Sequence, residues 1–360
     1  MNFELSEANA LLKSSIRDFL QQEAPLDKSR PVMEDTEEGF SREIYAKLGD
    51  LGYWGLTLPE SEGGSAAGAI GLAVVLEEMG RVAFPGPFLD LVLAAETLSR
   101  VKDEPASEFL QGIVEGRKSV LLARWETLEE LDGSSLQTRS DQNTVRGTKL
   151  LVPFGNSADF LLVTAAEGLA LFPRPEEGWK AISLPLLDHA QRFLEISLDA
   201  PGTLLCDKKT ADTILKEVDQ LGALGASALL LGLIEGSLEL TLDYIKERKA
   251  FGRSIGSFQV LQHRAADMWI RMESCRSAVY RAAWAVENKQ NDAPLLVASA
   301  KAYCGDSAHF VCGETIQLFG GVGYTWEYDP HIYYKRVKTL EQLYGSTRNQ
   351  LEAALRSQGI

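Results

Sequence analysis

Residues 117–205 constrain the fold more than any other feature, because they interrupt a helical chain with apolar runs too short and too often punctuated to be helices. "SVLLARW", "NTVRGTKLLVPF", "DFLLVTAA", "LALFP" and "FLEISLDA" have strand length and are separated by Gly, Asp, Asn and Pro clusters. The residues before them read as helices. Ser6 is placed to cap one carrying Leu12, Ile16, Phe19 and Leu20 on one face. Ser41 is placed to open another with Ile44, Leu48 and Leu51, stopped by Gly52. "YWGLTLPESEGGSAAG" is a Pro/Gly loop, "AIGLAVVLEEMGRVA" a buried helix, and "PGPF" breaks the chain before "LDLVLAAETLSR". After the interruption, long helical segments run over 211–247, 257–287, 293–320 and about 337–356, with small and apolar faces suited to a tight antiparallel bundle. This order predicts an α+β protein with an N-terminal helical domain (1–116), a central small β domain (117–205) and a C-terminal helical bundle (206–360).

The 360 residues can bury a substantial core. Asp and Glu number 51 against 36 Lys and Arg, a net charge of −15, and there is no basic tail. Nucleic acid and anionic membranes are therefore disfavoured as partners, and any phosphate must be met by a local basic pocket. No uninterrupted apolar run of bilayer length is evident, and the start, "MNFELSEANALLKSSIRDFL", lacks the pattern of an export signal, so a cytoplasmic location is expected. Cys206, Cys275, Cys304 and Cys312 have no CxxC spacing and read as free thiols. His189, His263, His309 and His331 are scattered, so no metal site is expected.

One stretch stands out: "RKAFGRSIGSFQ", residues 248–259. Two cations open it, glycines fall at 252 and 256, an apolar helix runs up to it and another leaves it. Such a corner can receive an anion, because backbone N–H groups and a guanidinium fork point the same way there.

"RKAFGRSIGSFQVLQHRAADM" (248–268), "QLFGGVGYTWEYDPHIYYKRVK" (317–338) and "GLTLPESEGG" (55–64), in this helix–strand–helix order, resemble the acyl-CoA dehydrogenase family over nearly the whole chain. The resemblance implies an FAD-dependent oxidoreductase acting on the CH–CH bond of an acyl-CoA, with a C-terminal four-helix bundle and an electron-transfer flavoprotein-like acceptor. It also implies FAD held between subunits, with the diphosphate and adenine clamped by the neighbour. On this chain Arg248 would reach the neighbour's diphosphate, with Phe251 and Gln259 close by. Gln317, Gly320 and Gly321 would line the adenine end.

The rest of the family pattern is broken. Members carry a catalytic glutamate before a Gly-Thr/Ser step, and here "EQLYGSTRNQ" puts Tyr344 there. A phenol, with an ordinary pKa of about 10, is a poor base at neutral pH. The second family position, at the start of the first bundle helix, falls on Gly222, followed by Ala223. Asp219 and Glu341 are the carboxylates near those two places. In the β region "RWETLEELDGSS" and "LLVPFGN" stand where the family has "TEPGAGSD" and "WITNG", and Pro153 replaces a threonine whose hydroxyl would hold the flavin ring.

The implied reading is a non-catalytic partner subunit in an α2β2 assembly with a catalytic paralogue, acting on CoA thioesters of bulky acids including steroid side chains. Two alternatives stand: a homotetrameric dehydrogenase using Asp219 or Glu341 as base, and a flavin-free structural or regulatory protein on the same scaffold.

Overall fold

The computed structural model describes residues 4–101, 104–127, 136–141, 144–174 and 177–358. In chain order the helices are α1 (Glu7–Glu23), α2 (Leu26–Asp35), α3 (Arg42–Asp50), α4 (Gly68–Arg81), α5 (Phe88–Val101) and α6 (Glu104–Val114). Strands β1 (Val120–Ala123), β2 (Arg139–Asp141), β3 (Thr144–Pro153), β4 (Phe160–Ala165), β5 (Gly168–Pro173), β6 (Trp179–Leu184), β7 (Phe193–Pro201) and β8 (Thr203–Asp207) follow. Then come α7 (Lys208–Glu247), the two-residue strands β9 (Lys249–Ala250) and β10 (Arg253–Ser254), α8 (Gln259–Glu287), α9 (Ala293–Phe319), α10 (Pro330–Gln342) and α11 (Thr347–Ser357). Helices, strands and then a helical bundle is the order the sequence predicts.

The chain forms two compact units. One gathers residues 1–29, 69–84 and 223–360; the other gathers 30–68 and 85–222. In the second, β1-β4-β5-β8 form one sheet and β2-β3-β7-β6 another, antiparallel except for β1 beside β4. β1 is buried at every residue, as a strand covered on both faces must be, and its apolar run "VLLA" reflects this. A single bridge from Trp125 to Leu150 links the end of β1 to β3.

In the first unit, α4 and α7 touch backbone to backbone. A Cβ at Gly232 would lie 1.9 Å from the Glu77 carbonyl oxygen, and one at Gly236 would lie 2.0 Å from that of Arg81. The stretch of α7 around them is long and apolar enough in composition to cross a membrane, a property the reading of apolar runs missed, but nearly all of it is buried inside the protein. α9 lies against α8, α10 and α11. Thr315 of α9 shares hydroxyl hydrogen bonds of 2.8 Å with Ser237 and Thr241 of α7. These satisfy polar groups that the packed interior would otherwise strand.

Ser6 and Ser41 cap their helices as expected, each accepting from a backbone N–H three residues on. The expected helix over 337–356 is instead two. Tyr344 and Gly345 take φ of 56° and 93°, conformations no helix continues through. Buried Lys301 of α9 holds the corner, donating to the carbonyls of Glu341 (3.0 Å) and Gly345 (3.1 Å). Ser346 then caps α11.

Candidate functional site

The stretch 248–259 folds as the N-terminal approach to α8. β9 and β10 are joined by Phe251 and Gly252, whose φ values of 51° and 78° make a two-residue turn of the primed type, matched to the twist of a hairpin. Gly252 takes that conformation freely; Phe251 does not, and the left-handed region costs a non-glycine residue roughly 1–2 kcal/mol. Its ring is 95 % exposed. The hairpin is tied back by the Ile255 N–H to the Arg248 carbonyl (2.8 Å) and by the Ser254 hydroxyl to the Ile245 carbonyl (2.7 Å). Gly256 fits under the end of α7, since a Cβ there would lie 2.9 Å from the Ile245 carbonyl oxygen. Gln259 is the exposed first residue of α8, which has no side-chain cap.

The second motif closes α9. Gly320 takes φ 68° and ψ −144°, returning its N–H to the Gln317 carbonyl. A Cβ at Gly320 or Gly321 would meet nothing within 4 Å, so these glycines face open space. Within the unit of residues 1–29, 69–84 and 223–360, the structure brings the two motifs together. Tyr244, one helical turn before Arg248, stacks on Phe319 with ring centroids 3.9 Å apart and planes 13° off parallel. Tyr328 closes edge-on against both rings. Arg248, Phe251, Gln259, Gln317, Gly320 and Gly321 are all exposed. Among the described residues, the side chains of Arg248, Gln259 and Gln317 have no hydrogen-bond or ionic partner.

The candidate base positions differ from this in kind. Tyr344 sits in the α10–α11 corner, half-buried, its carbonyl accepting from Gln350 Nε2 at 2.5 Å. The Glu341 carboxylate accepts the Thr347 N–H at 2.8 Å, so it serves the start of α11. Its neighbour Lys301 is pushed down to about 8 by burial, with Glu341 opposing the drop. Gly222 and Ala223 are buried in α7 and carry no titratable group. Asp219 is held by both terminal nitrogens of Arg124, one of them at 2.8 Å. The arginine fork therefore already occupies both oxygens of this carboxylate.

Pro153, at the end of β3, is buried and paired in register with Phe193. Phe154 after it is buried against Phe40. Of "RWETLEELDGSS", residues 128–135 lie outside the described residues. The described part contains a group the sequence reading missed: the fully buried Lys149 of β3, whose ammonium donates to Glu126 (2.6 Å), Thr164 (3.0 Å) and the Arg124 carbonyl (3.2 Å). Glu126 also accepts the N–H groups of Gln137 (2.6 Å) and Thr138 (3.1 Å); against the upward pull of burial, Lys149 first and these two N–H groups after it hold its carboxyl below the ordinary range. The signal was there in the alternation of β3, where Lys149 shares the inward parity of Val145.

The acyl-CoA dehydrogenase N-terminal domain matches residues 6–117 and the acyl-CoA dehydrogenase C-terminal domain matches residues 219–358. The acyl-CoA dehydrogenase IpdE2 of Mycolicibacterium smegmatis is 30 % identical over 96 % of this chain and 97 % of its own. Among solved structures, the ChsE4-ChsE5 complex from Mycobacterium tuberculosis superposes with a TM-score of 0.88 at 26 % identity, covering 100 % of this chain and 99 % of the other. A variant of the Tcur3481-Tcur3483 steroid ACAD gives 0.87 at 26 %, covering 98 % of each. The chain belongs to the acyl-CoA dehydrogenase family, flavoproteins that oxidise a CH–CH bond.

Proposed function

We propose that this chain is the partner subunit of a two-component acyl-CoA dehydrogenase, donating the diphosphate and adenine half of an FAD site to a catalytic paralogue. The observation that carries the reading is the contrast between two sets of residues. Arg248, Phe251, Gln259, Gln317, Gly320 and Gly321 are exposed, and the polar side chains among them are unspent among the described residues. The carboxylates nearest the base positions, Asp219 and Glu341, are already engaged in holding the fold.

These residues fit the group. An exposed arginine offers a planar fork to a diphosphate, and glycines with open space above them let backbone approach a flat ring. When bound, FAD supplies the hydride acceptor for α,β-dehydrogenation of an acyl thioester. Arg248 would neutralise and orient the diphosphate, Gln259 and Gln317 would add neutral donors and acceptors, and Phe251 would cover the ligand from the turn. The ring end does not fit equally well: Pro153 is buried and has neither hydroxyl nor N–H to give. The kinship with a steroid ACAD and with a complex of two differently named chains supports a bulky acyl-CoA substrate and a paralogous partner.

Expressed alone, the chain is expected to carry no stoichiometric flavin. Co-expressed with acyl-CoA dehydrogenase paralogues from its own source, it is expected to co-purify with one of them as a yellow complex. Stoichiometric flavin in the lone chain would instead mark a homomeric enzyme, and a colourless complex would mark a structural protein.

Tyr344→Glu restores the residue type that the family places in this corner, yet the lone variant is expected to remain inactive. A positioned base contributes about 10²–10⁴-fold, but only on a substrate held in register with its hydride acceptor, and misplacement by about 1 Å costs on the order of 10²-fold. The assay is turnover of short, long and steroid-like acyl-CoAs with an artificial electron acceptor. Clear turnover by Tyr344→Glu without a partner would reverse the assignment.

A further inference from the structure

A cavity of about 200 Å³ opens within the unit formed by residues 30–68 and 85–222. It lies at the N-terminal ends of β1 and β4, beside Ser119 and Asp159, whereas Arg124 and Glu126 lie beyond the other end of β1. Phe40, Tyr45 and Trp54 line it with Leu91 and Ile113. The aromatic wall is fixed: Tyr45 lies edge-on to Phe40 at 4.7 Å and stacks on Trp54 at 5.5 Å. The Tyr45 hydroxyl is bonded to the Pro85 carbonyl at 3.2 Å.

The Trp54 indole is 93 % buried, yet among the described residues its N–H has no acceptor. Buried indoles ordinarily find one; the Trp54 nitrogen instead keeps some access to solvent, since it is not among the fully buried polar atoms left without a partner. Two glycines clear space around that edge of the ring. A Cβ at Gly49 would lie 2.4 Å from the indole nitrogen; one at Gly116, which lines the cavity, would lie 3.8 Å away. Trp54 and Gly116 both line the cavity, so the indole edge and the room that Gly116 leaves beside it belong to the same wall.

The remaining lining groups set the charge of what could bind there. Arg42, Arg117 and Lys118 line the cavity against a single carboxylate, Asp159, which already accepts from the Ser119 N–H and hydroxyl at 2.8 Å. Arg42 pairs with Glu38 and also feels Asp159, Arg117 pairs with Glu115, and Lys118 pairs with Glu108. All three pairs reach solvent, where an ion pair is weak, so they can be exchanged for a ligand carboxylate at little cost. The aromatic wall asks for a flat apolar body. An apolar cavity of about 150 Å³ holds benzene, so this one has room for a ring and a carboxylate.

We propose that this cavity is a binding site for a small aromatic carboxylate, its ring against Phe40, Tyr45 and Trp54 and its oxygens meeting the Trp54 N–H and the Arg42 and Arg117 guanidinium groups. The inference is independent of the FAD reading, since none of these residues belongs to that site. It is tested on the full-length chain labelled with 5-fluorotryptophan, with the Trp54 resonance identified by its loss in Trp54→Phe. Benzoate is expected to shift that resonance saturably, and benzyl alcohol, of the same size but uncharged, to bind at least about tenfold more weakly. The double variant Arg42→Gln/Arg117→Gln changes only exposed side chains, so it should fold. It should lose about tenfold in benzoate affinity and nothing for benzyl alcohol. A Trp54 resonance that ignores benzoate overturns the proposal. So does equal binding of the two probes, or benzoate affinity unchanged in the double variant.

Discussion

Glu126→Ala is expected to destabilise the chain by about 3–5 kcal/mol, because it leaves Lys149 charged in the interior with only the neutral Thr164 hydroxyl and Arg124 carbonyl to meet it. The Lys149 side chain is fully buried and that of Glu126 is 8 % exposed, so water replaces neither partner. Burial pulls Lys149 from 10.5 to about 8; Glu126 opposes the drop and Arg124 adds to it. The sign follows from linkage. With its folded pKa below its unfolded one, Lys149 penalises the fold at pH below about 8, and the penalty is relieved as pH rises from about 8 towards 10.5. Without Glu126 the folded pKa falls further, so the deficit of the variant should be largest near pH 6 and shrink towards about pH 9.5. Urea unfolding at the two pH values measures it. Glu126→Ala/Lys149→Met should recover much of the loss, since an apolar replacement of a buried pair is often neutral or stabilising. A deficit independent of pH, or one the second substitution does not reduce, would mean that Glu126 acts mainly through the Gln137 and Thr138 N–H groups.

That pair also marks the limit of what the sequence could tell. Elements decided by local chemistry were legible: the Ser6 and Ser41 caps, the Gly52 stop, the long helices and the five strands with clear runs. β2 is too short to show a period, and β6 and β8 are mostly exposed or half-buried, so their texture is that of a loop. α2 is likewise fixed from a distance. The Arg192 guanidinium collects the carbonyls of Met33 (2.6 Å) and Thr36 (3.1 Å) at its C-terminal end. The break between α10 and α11 escaped notice because apolar spacing continues across it; what bends the chain there is Lys301, remote in sequence.

The same division runs through the site. The hairpin and the α9 terminus declare themselves locally, through glycines and an aromatic residue where the backbone turns. Their meeting across the Tyr244–Phe319 stack, and the engagement of Asp219 by Arg124 and of Glu341 by Thr347, depend on topology. A carboxylate that looks available in one dimension can already be committed in three.

In the assembled complex, Arg248→Ala is expected to lower FAD affinity by about 10–150-fold, the equivalent of 1.5–3 kcal/mol for a charge-assisted hydrogen-bonded contact. Assembly itself should be unaffected, because Arg248 is exposed and its side chain holds nothing among the described residues. Arg248→Lys keeps the charge but loses the planar fork, so it should fall between the two. The hairpin bears on the same question: it keeps Phe251 in a left-handed conformation with its ring 95 % exposed, met from within the described residues by the edge-on Phe258 ring at 6.3 Å. Such a conformation is consistent with a ligand or neighbour that meets the turn from outside. The measurement is flavin retained by the complex after gel filtration, with titration of the apo-complex by FAD to give Kd for wild type, Arg248→Ala and Arg248→Lys. If Arg248→Ala retained flavin with unchanged affinity, the diphosphate would have to be held by other groups. If instead the complex fell apart, Arg248 would be an interface residue and the exposed corner would serve subunit contact rather than the cofactor.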